Sequence, residues 1–132
     1  MHIKADDYCF ACGPNNPHGL RLTGFRMAGE RYEFDFTPAK HHQGWQGIVH
    51  GGILATLVDE AMTRLLWEQG ATVVTAEINV RYRRPLPVGT PVKVAAWKVK
   101  EFGRLIEAAA AVTDDEGEYA TATGKFMRMD PR

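Results

Sequence analysis

One stretch constrains the fold of this 132-residue chain more than any other: residues 51–69 have the pattern of a long, mostly buried helix. Its apolar residues recur at spacings of three and four, which is the periodicity of a helix with a wide apolar face. They are Ile53, Leu54, Leu57, Val58, Ala61, Met62, Leu65 and Leu66. Gly70 follows the last of them and predicts the end of the helix, because glycine readily adopts the left-handed conformation of a C-terminal cap.

A carboxylate interrupts this apolar pattern. At about 100° per residue, Asp59 lies on the same side as Met62, whereas Glu60 and Arg64 point towards a more polar edge. Burying an unpaired carboxylate is costly, and catalytic sites are where such groups commonly occur. Asp59 is therefore predicted to be desolvated and chemically active. The alternative is that Asp59 pairs with an arginine across a structural dimer contact.

The predicted helix begins with bare backbone, at Gly51 and Gly52. The first N–H groups of a helix have no partner within it and lie at the positive end of its dipole, so they can polarise a carbonyl. Gly51 and Asp59 are eight positions apart, which is about 12 Å along a helix and too far for both to act on one carbonyl. A two-fold dimer with antiparallel helices would bring Gly51 of one copy beside Asp59 of the other.

The remaining pattern predicts an α+β fold. Turn residues separate stretches with strand character, and two such stretches precede the helix while four follow it. This order suits an antiparallel sheet of about five to six strands wrapped around one long central helix, in a single domain over residues 1–132. The predicted strands are residues 20–27, 31–37, 73–84, 91–99, 104–113 and 119–128.

The strand after the helix has a clear alternation, which predicts two distinct faces. The face predicted to pack on the helix carries Val74, Ala76, Ile78, Val80 and Tyr82. The opposite, more polar face carries Thr75, Glu77, Asn79, Arg81 and Arg83.

Three segments carry a resemblance to a known family. The string from His50-Gly51-Gly52 to Asp59 resembles the His-Gly-Gly class of hotdog-fold acyl-CoA thioesterases, the group that includes the phenylacetate-pathway enzyme. Residues 9–20 and 75–82 resemble the amino-terminal segment and the central strand of that family, so the resemblance covers most of the chain. It implies a hotdog fold and hydrolysis of an acyl-CoA thioester to free acid and CoA. It also implies a homodimer, possibly a dimer of dimers, with the site at the subunit interface.

The same resemblance assigns roles to four catalytic residues. It implies that Asp59 attacks the thioester or activates water, and that the Gly51 N–H polarises the thioester carbonyl. Thr75 would position the water or the carboxylate, and His50 would shape the turn and the oxyanion site. The chain contains no serine, so a serine nucleophile is excluded for these 132 residues.

Predicted substrate contacts surround these four residues. Many relatives place Asn or Gln six residues before the histidine, where this chain has Gly44, with glutamines on either side. Arg81 and Arg83 suit the phosphates of coenzyme A, the alternative being a solvated strand end that blunts edge pairing. The predicted substrate-binding residues are Gly52, Gln43, Gln46, Asn79, Arg81 and Arg83.

Charge and hydropathy exclude several partners. Sixteen basic and sixteen acidic residues give a formal net charge of zero, which argues against nucleic acid or an anionic membrane surface as a partner. Residues 1–8 are polar and lack an apolar signal core, and no run reaches the roughly 18 apolar residues of a membrane span. We therefore expect no membrane association and a cytoplasmic location.

The two cysteines, Cys9 and Cys12, form one Cys-x-x-Cys motif. This spacing could indicate redox chemistry or half of a zinc site, but His18, His41 and His42 supply no second pair at a recognised spacing. We expect structural or incidental cysteines, with no metal and no cofactor. The alternative to an enzyme is a non-catalytic protein of the same fold that binds or senses acyl-CoA.

Overall fold

The structure of the protein, a computed structural model, describes residues 3–130. The predicted polar start at residues 1–8 and the predicted domain limits therefore extend beyond the described residues. All neighbouring strands are antiparallel, in the order β1-β2-β4-β5-β6-β3, which confirms the predicted fold of six strands around one long helix. The elements are β1 (Arg26–Ala28), β2 (Arg31–Phe36), a 3-10 turn (Lys40–His42), α1 (Gly51–Glu68), β3 (Val73–Tyr82), β4 (Val92–Phe102), β5 (Leu105–Asp114) and β6 (Gly117–Arg128).

The apolar face of α1 forms the centre of the core. Leu57 and Leu65 are fully buried between the helix and the sheet, and burial of each such side chain stabilises the fold by about 1.5–3 kcal/mol. On β5, Ala108 and Ala110 are also buried, and small side chains there let the helix approach the sheet closely. Seven of the eight predicted core positions of the helix are buried, and Ile53 is partly buried against them.

Both ends of α1 are capped by specific hydrogen bonds. At the start, Nδ1 of His50 accepts from the Gly52 N–H at 2.8 Å. At the end, Gly70 has φ of +91°, and the N–H of Ala71 donates to the carbonyl of Leu66 at 2.9 Å. This is the Schellman arrangement that satisfies the last carbonyls of a helix, and it confirms the predicted end of α1 at Gly70. Among residues 3–130, no helix has both the length and the apolar character needed to cross a bilayer.

The first predicted strand, residues 20–27, is wrong over most of its length, because only Arg26–Ala28 pair in the sheet. Arg21 has φ of +53° and Gly24 has φ of +75°, so the extended backbone is interrupted twice. The backbone N–H groups of Leu20 and Leu22 donate to the carbonyls of Phe10 and Ala11 instead of to a neighbouring strand. This segment therefore belongs to an irregular amino-terminal layer and not to the sheet.

A β-bulge in β3 changes which side chains face the helix. Thr75 pairs with Phe126, and the next pair is Glu77 with Lys125, so Ala76 is the extra residue. Because cross-strand partners share a face and Phe126 is fully buried, Thr75 lies on the helix side. The prediction that Thr75 and Ile78 lie on opposite faces is therefore wrong. The helix side carries Val73, Thr75, Ile78, Val80 and Tyr82, and the outer side carries Val74, Glu77, Asn79 and Arg81.

Candidate active site

Asp59 and Thr75 meet where α1 lies against β3. The Thr75 hydroxyl donates to Oδ1 of Asp59 at 2.7 Å, and the bulge at Ala76 is what turns Thr75 towards the helix. Burial raises the pKa of Asp59 above its ordinary value, and the hydrogen bond from Thr75 lowers it in part. The two residues that sequence analysis assigned to one site are thus in direct contact, and the carboxylate is partly desolvated.

A pocket of about 410 Å³ opens beside this pair. One wall comes from the amino-terminal segment, which places Phe10 and Ala11 over the helix. The remaining walls come from α1 and β3. Apart from Asp59 and Thr75, the pocket is lined by Cys9, Phe10, Ala11, Ala55, Thr56, Glu60 and Ile78. The surroundings are largely apolar, which suits a carboxylate that must be reactive near neutral pH.

The start of α1 forms a second pocket, of about 440 Å³, lined by Gly44, Trp45, Val49, His50 and Gly51. Within residues 3–130, no hydrogen-bond acceptor is found for the Gly51 N–H, whereas the Gly52 N–H donates to His50. A backbone donor at a helix N-terminus is therefore available to an oxygen atom entering this pocket.

The structure does not bring the two parts of the predicted catalytic set together within one chain. Tyr82 donates through its hydroxyl to the carbonyl of Gly51 at 2.8 Å, at one end of β3. Thr75 contacts Asp59 near the other end of the strand. Eight helical residues separate Gly51 from Asp59, which is about 12 Å of rise. His50, Gly51 and Gly52 form one group, and Asp59 and Thr75 form another.

The predicted contacts before the helix lie in a tight loop. Oε1 of Gln43 accepts from the Gly47 N–H at 3.0 Å, so this amide orders the loop, while Gln46 is exposed. A Cβ atom at Gly44 would lie 3.3 Å from the imidazole of His50. Gly44 thus places bare backbone directly against the histidine.

Asn79, Arg81 and Arg83 are not part of the Asp59 pocket of the same chain. Asn79 and Arg81 lie on the outer side of the sheet, and Arg83 donates to the Thr121 hydroxyl at 3.2 Å. The neighbouring Arg84 is engaged by Asp114 at 3.1 Å. Binding of coenzyme A phosphates by Arg81 and Arg83 stays a prediction.

Glu60 also lies in an environment that differs from the predicted one. It is only 9% exposed, instead of lying on a polar edge. The amino-terminal segment covers this side of α1 and places Cys12 beside the carboxylate. Burial raises the pKa of Glu60, while Cys12 and Arg64 lower it in part. One residue in the sequence could have indicated this covering segment: Ala11, an apolar residue inside the Cys-x-x-Cys motif. The structure shows that Ala11 is buried.

Known proteins with similar sequences include several that are named acyl-coenzyme A thioesterases. Acyl-coenzyme A thioesterase THEM4 of Rattus norvegicus is 31% identical over 109 residues, which cover 81% of this chain and 47% of that protein. Acyl-coenzyme A thioesterase 13 of Mus musculus is 28% identical over 110 residues, covering 82% of this chain and 79% of that protein. The chain spans about half or less of the length of the THEM4 proteins it matches.

A solved structure and a family-level match agree with these relatives. Protein RHA08564, described as a thioesterase superfamily protein, superposes with a TM-score of 0.84 at 24% identity, covering 92% of this chain and 63% of that one. This similarity shows the fold. The sequence model described as Thioesterase superfamily matches residues 46–121, more than half of the chain, including α1 and β3 to β5. The chain therefore belongs to the thioesterase superfamily.

Proposed function

We propose that this chain is an acyl-CoA thioesterase of the His-Gly-Gly class, which hydrolyses a coenzyme A thioester to the free acid and CoA in a homodimer. The observation that carries the proposal is the Asp59 carboxylate, held at 2.7 Å by Thr75 in a largely apolar pocket. The available Gly51 N–H supplies the complementary group, a donor for the thioester oxygen. Both relatives described above are named acyl-coenzyme A thioesterases.

The arrangement of β3 supports a shared site. This ten-residue strand lies at the end of the sheet, and within residues 3–130 only β6 pairs with it. Thr75 lies beside Asp59 and Tyr82 lies beside Gly51. Antiparallel pairing of two such edges about an axis near Ile78 would place Thr75 opposite Tyr82 of the partner subunit. The Gly51 N–H of one protomer would then approach Asp59 of the partner subunit.

The chemistry follows from this pairing. The thioester oxygen accepts a hydrogen bond from the Gly51 N–H, which makes the carbonyl carbon more electrophilic. In one route the Asp59 carboxylate of the partner subunit attacks that carbon, CoA leaves as the thiolate, and water hydrolyses the resulting anhydride. In the other route, Asp59 takes a proton from water, and the hydroxide adds to the carbonyl before CoA leaves. A single turnover in ¹⁸O-labelled water distinguishes them, because only the anhydride route can pass an oxygen of Asp59 to the acid.

The proposal is tested by measuring release of free CoA thiol from a panel of short, medium, long and aryl acyl-CoA esters. We expect steady turnover of at least one ester by the wild-type protein, with the preferred acyl group reporting the shape of the pocket. Saturable binding of these esters without thiol release would contradict an enzyme and would indicate the acyl-CoA sensor instead. The proposed site needs the intact dimer, so the oligomeric state of the protein is determined by light scattering at the assay concentration.

Replacing Thr75 with valine tests how the carboxylate is tuned. Valine keeps the β-branched shape but removes the hydroxyl that lowers the pKa of Asp59, so this pKa rises further. The active form is the carboxylate in both routes. We therefore expect kcat/KM to fall by about 10-fold near neutral pH, because a charge-assisted hydrogen bond is lost. The acidic limb of the pH profile should move to higher pH.

Thr75→Ser is the matched variant, since it keeps the hydroxyl and should keep the wild-type pH profile. A valine variant with an unshifted acidic limb would show that Thr75 does not tune Asp59.

A further inference from the structure

A cluster beside the proposed catalytic pocket takes no part in thioester hydrolysis. Sγ of Cys9, Sγ of Cys12 and a carboxylate oxygen of Glu60 all lie within 4.8 Å of one another. The cysteines come from the amino-terminal segment and the glutamate from α1, so the cluster joins two parts of the chain that are far apart in sequence. Cys9 is exposed and Cys12 half-buried, which leaves an entry path from solvent.

The turn between the cysteines holds both sulfur atoms on one side. The Cys12 N–H points at Sγ of Cys9, 3.5 Å away, and the Gly13 N–H donates to the Cys9 carbonyl at 2.8 Å. Any Cβ atom at Gly13 would lie 2.3 Å from the Cys9 nitrogen, so only glycine fits there. The turn therefore fixes both sulfur atoms close to the carboxylate of Glu60.

Glu60 supplies the second, independent observation. The residue as a whole is 9% exposed, and its Oε2 atom is buried with no hydrogen-bond partner among the described residues. A buried carboxylate oxygen without a partner is destabilising unless something binds it. A disulfide between the two cysteines would leave this oxygen unsatisfied, whereas a cation between the sulfur atoms and the carboxylate would bind it.

We propose that Cys9, Cys12 and Glu60 bind one Zn²⁺ ion, with the fourth position open to solvent. Ligand atoms around tetrahedral zinc lie about 3.5–4 Å apart, so small side-chain rotations from the observed spacing suffice. Two thiolates and one carboxylate would leave the complex with one negative charge. Nη1 of Arg64 lies 3.8 Å from Sγ of Cys12 and offsets that charge.

The ion would fasten the amino-terminal segment to α1. Cys9 and Glu60 line both the Asp59 pocket and a neighbouring pocket of about 440 Å³ that also contains Cys12 and Arg64. The proposed zinc site therefore lies in the wall of the proposed catalytic pocket, without contacting the thioester. Its role is structural: it fixes the residues that cover Asp59.

The test uses Zn²⁺ and Co²⁺ with the reduced, metal-stripped full chain. We expect one equivalent of Co²⁺ to produce a thiolate-to-cobalt charge-transfer band and visible bands typical of tetrahedral coordination. One equivalent of Zn²⁺ should displace the Co²⁺, and Zn²⁺ added to the metal-free chain should release protons and raise the Tm. Cys9→Ser and Cys12→Ser should each weaken binding by at least about 100-fold, and Glu60→Gln by at least about 10-fold.

Glu68→Gln is the matched control, because Glu68 is an exposed carboxylate on the same helix, and it should bind metal as the wild type does. Circular dichroism of each metal-free variant establishes that the fold is retained. The proposal is overturned if the reduced wild-type chain binds less than stoichiometric metal at micromolar concentration. It is equally overturned if Glu60→Gln binds Co²⁺ with wild-type affinity and spectrum. Neither readout depends on thioester hydrolysis, so this proposal and the proposed function succeed or fail separately.

Discussion

Replacing Asp59 with asparagine is expected to lower kcat for acyl-CoA hydrolysis by about 10²–10⁴-fold, the range that a positioned acid–base group contributes. The amide keeps the shape of the side chain and can still meet the Thr75 hydroxyl, but it neither attacks a carbonyl nor accepts a proton from water. The ratio of the wild-type kcat to the variant kcat is measured from free-thiol release with the best ester of the panel. KM should change far less than kcat, since the lost interaction belongs to the transition state.

The same variant should be at least as stable as the wild type at neutral pH. Burial raises the pKa of Asp59 in the folded state, so the native state binds the proton more tightly than the unfolded chain does. Stability from this group is therefore highest below the unfolded pKa and falls as pH rises through the raised folded value. Asparagine removes the free-energy cost of ionising the buried carboxyl group at pH 7. Thermal unfolding measured at a series of pH values will detect the difference in stability between the two proteins.

Glu68→Gln is the control for Asp59→Asn, because it removes a carboxylate from the same helix at an exposed site. It should leave kcat within about two-fold of wild type, as most exposed substitutions do. If Asp59→Asn hydrolysed the ester at a rate similar to this control, Asp59 would not be the catalytic group.

Replacing Gly51 with proline is expected to lower kcat by about 10²–10³-fold, the loss typical of removing one oxyanion donor. Proline has no N–H, and it is favoured at the first position of a helix. The backbone suits it, because the preceding His50 has φ of −62° and ψ of 136°. A Cβ atom at this position would meet the Tyr82 ring at an ordinary 3.4 Å. The substitution thus deletes the donor while leaving the helix start in place.

Gly51→Ala is the matched control, since alanine adds the Cβ atom but keeps the N–H. It should retain most of the wild-type kcat. Equal losses in the alanine and proline variants would assign the effect to crowding near Tyr82 and would contradict a role for the backbone donor.

Mixing these two variants tests whether the site is shared between subunits. A dimer with one Asp59→Asn chain and one Gly51→Pro chain has one site with both groups intact and one site with neither. With random exchange of equal amounts, half of the dimers are mixed, so activity should recover to about one quarter of wild type. A mixture that stays as inactive as its components would place both groups in the same subunit.

The sequence predicted α1 well because its signal is local. Apolar spacing, two glycines at the start and Gly70 at the end each specify the helix without reference to the rest of the chain. The position of Asp59 on that helix followed from the same periodicity. The order of the strands, two before the helix and four after it, was sufficient to predict the fold class.

The features that were predicted wrongly depend on contacts between distant residues. Glu60 is buried because the segment around Cys12 covers it, and a helical wheel contains no information about a covering segment. The strand at residues 20–27 failed because Leu20 and Leu22 bond to the amino-terminal segment instead. Thr75 faces the helix because β3 contains one residue more than β6 across the bulge. None of these follows from local periodicity.

The bulge at Ala76 has a consequence for changes in chain length. Side chains alternate between the two faces of the sheet on each side of the bulge, but the extra residue shifts this alternation by one. Thr75, an odd-numbered residue before the bulge, therefore shares the helix side with the even-numbered Ile78 and Tyr82 after it. Deleting Ala76 would make the strand regular and leave Thr75 opposite Phe126 on the helix side, because Ala76 is the residue without a partner on β6. Between Glu77 and Tyr82 every residue has a partner on β6, so a one-residue deletion there would shift the alternation of one end of β3 and place Thr75 and Tyr82 on opposite faces. Such a deletion is expected to damage the site more than most substitutions there, so the spacing of these residues constrains the chain as strongly as their identity.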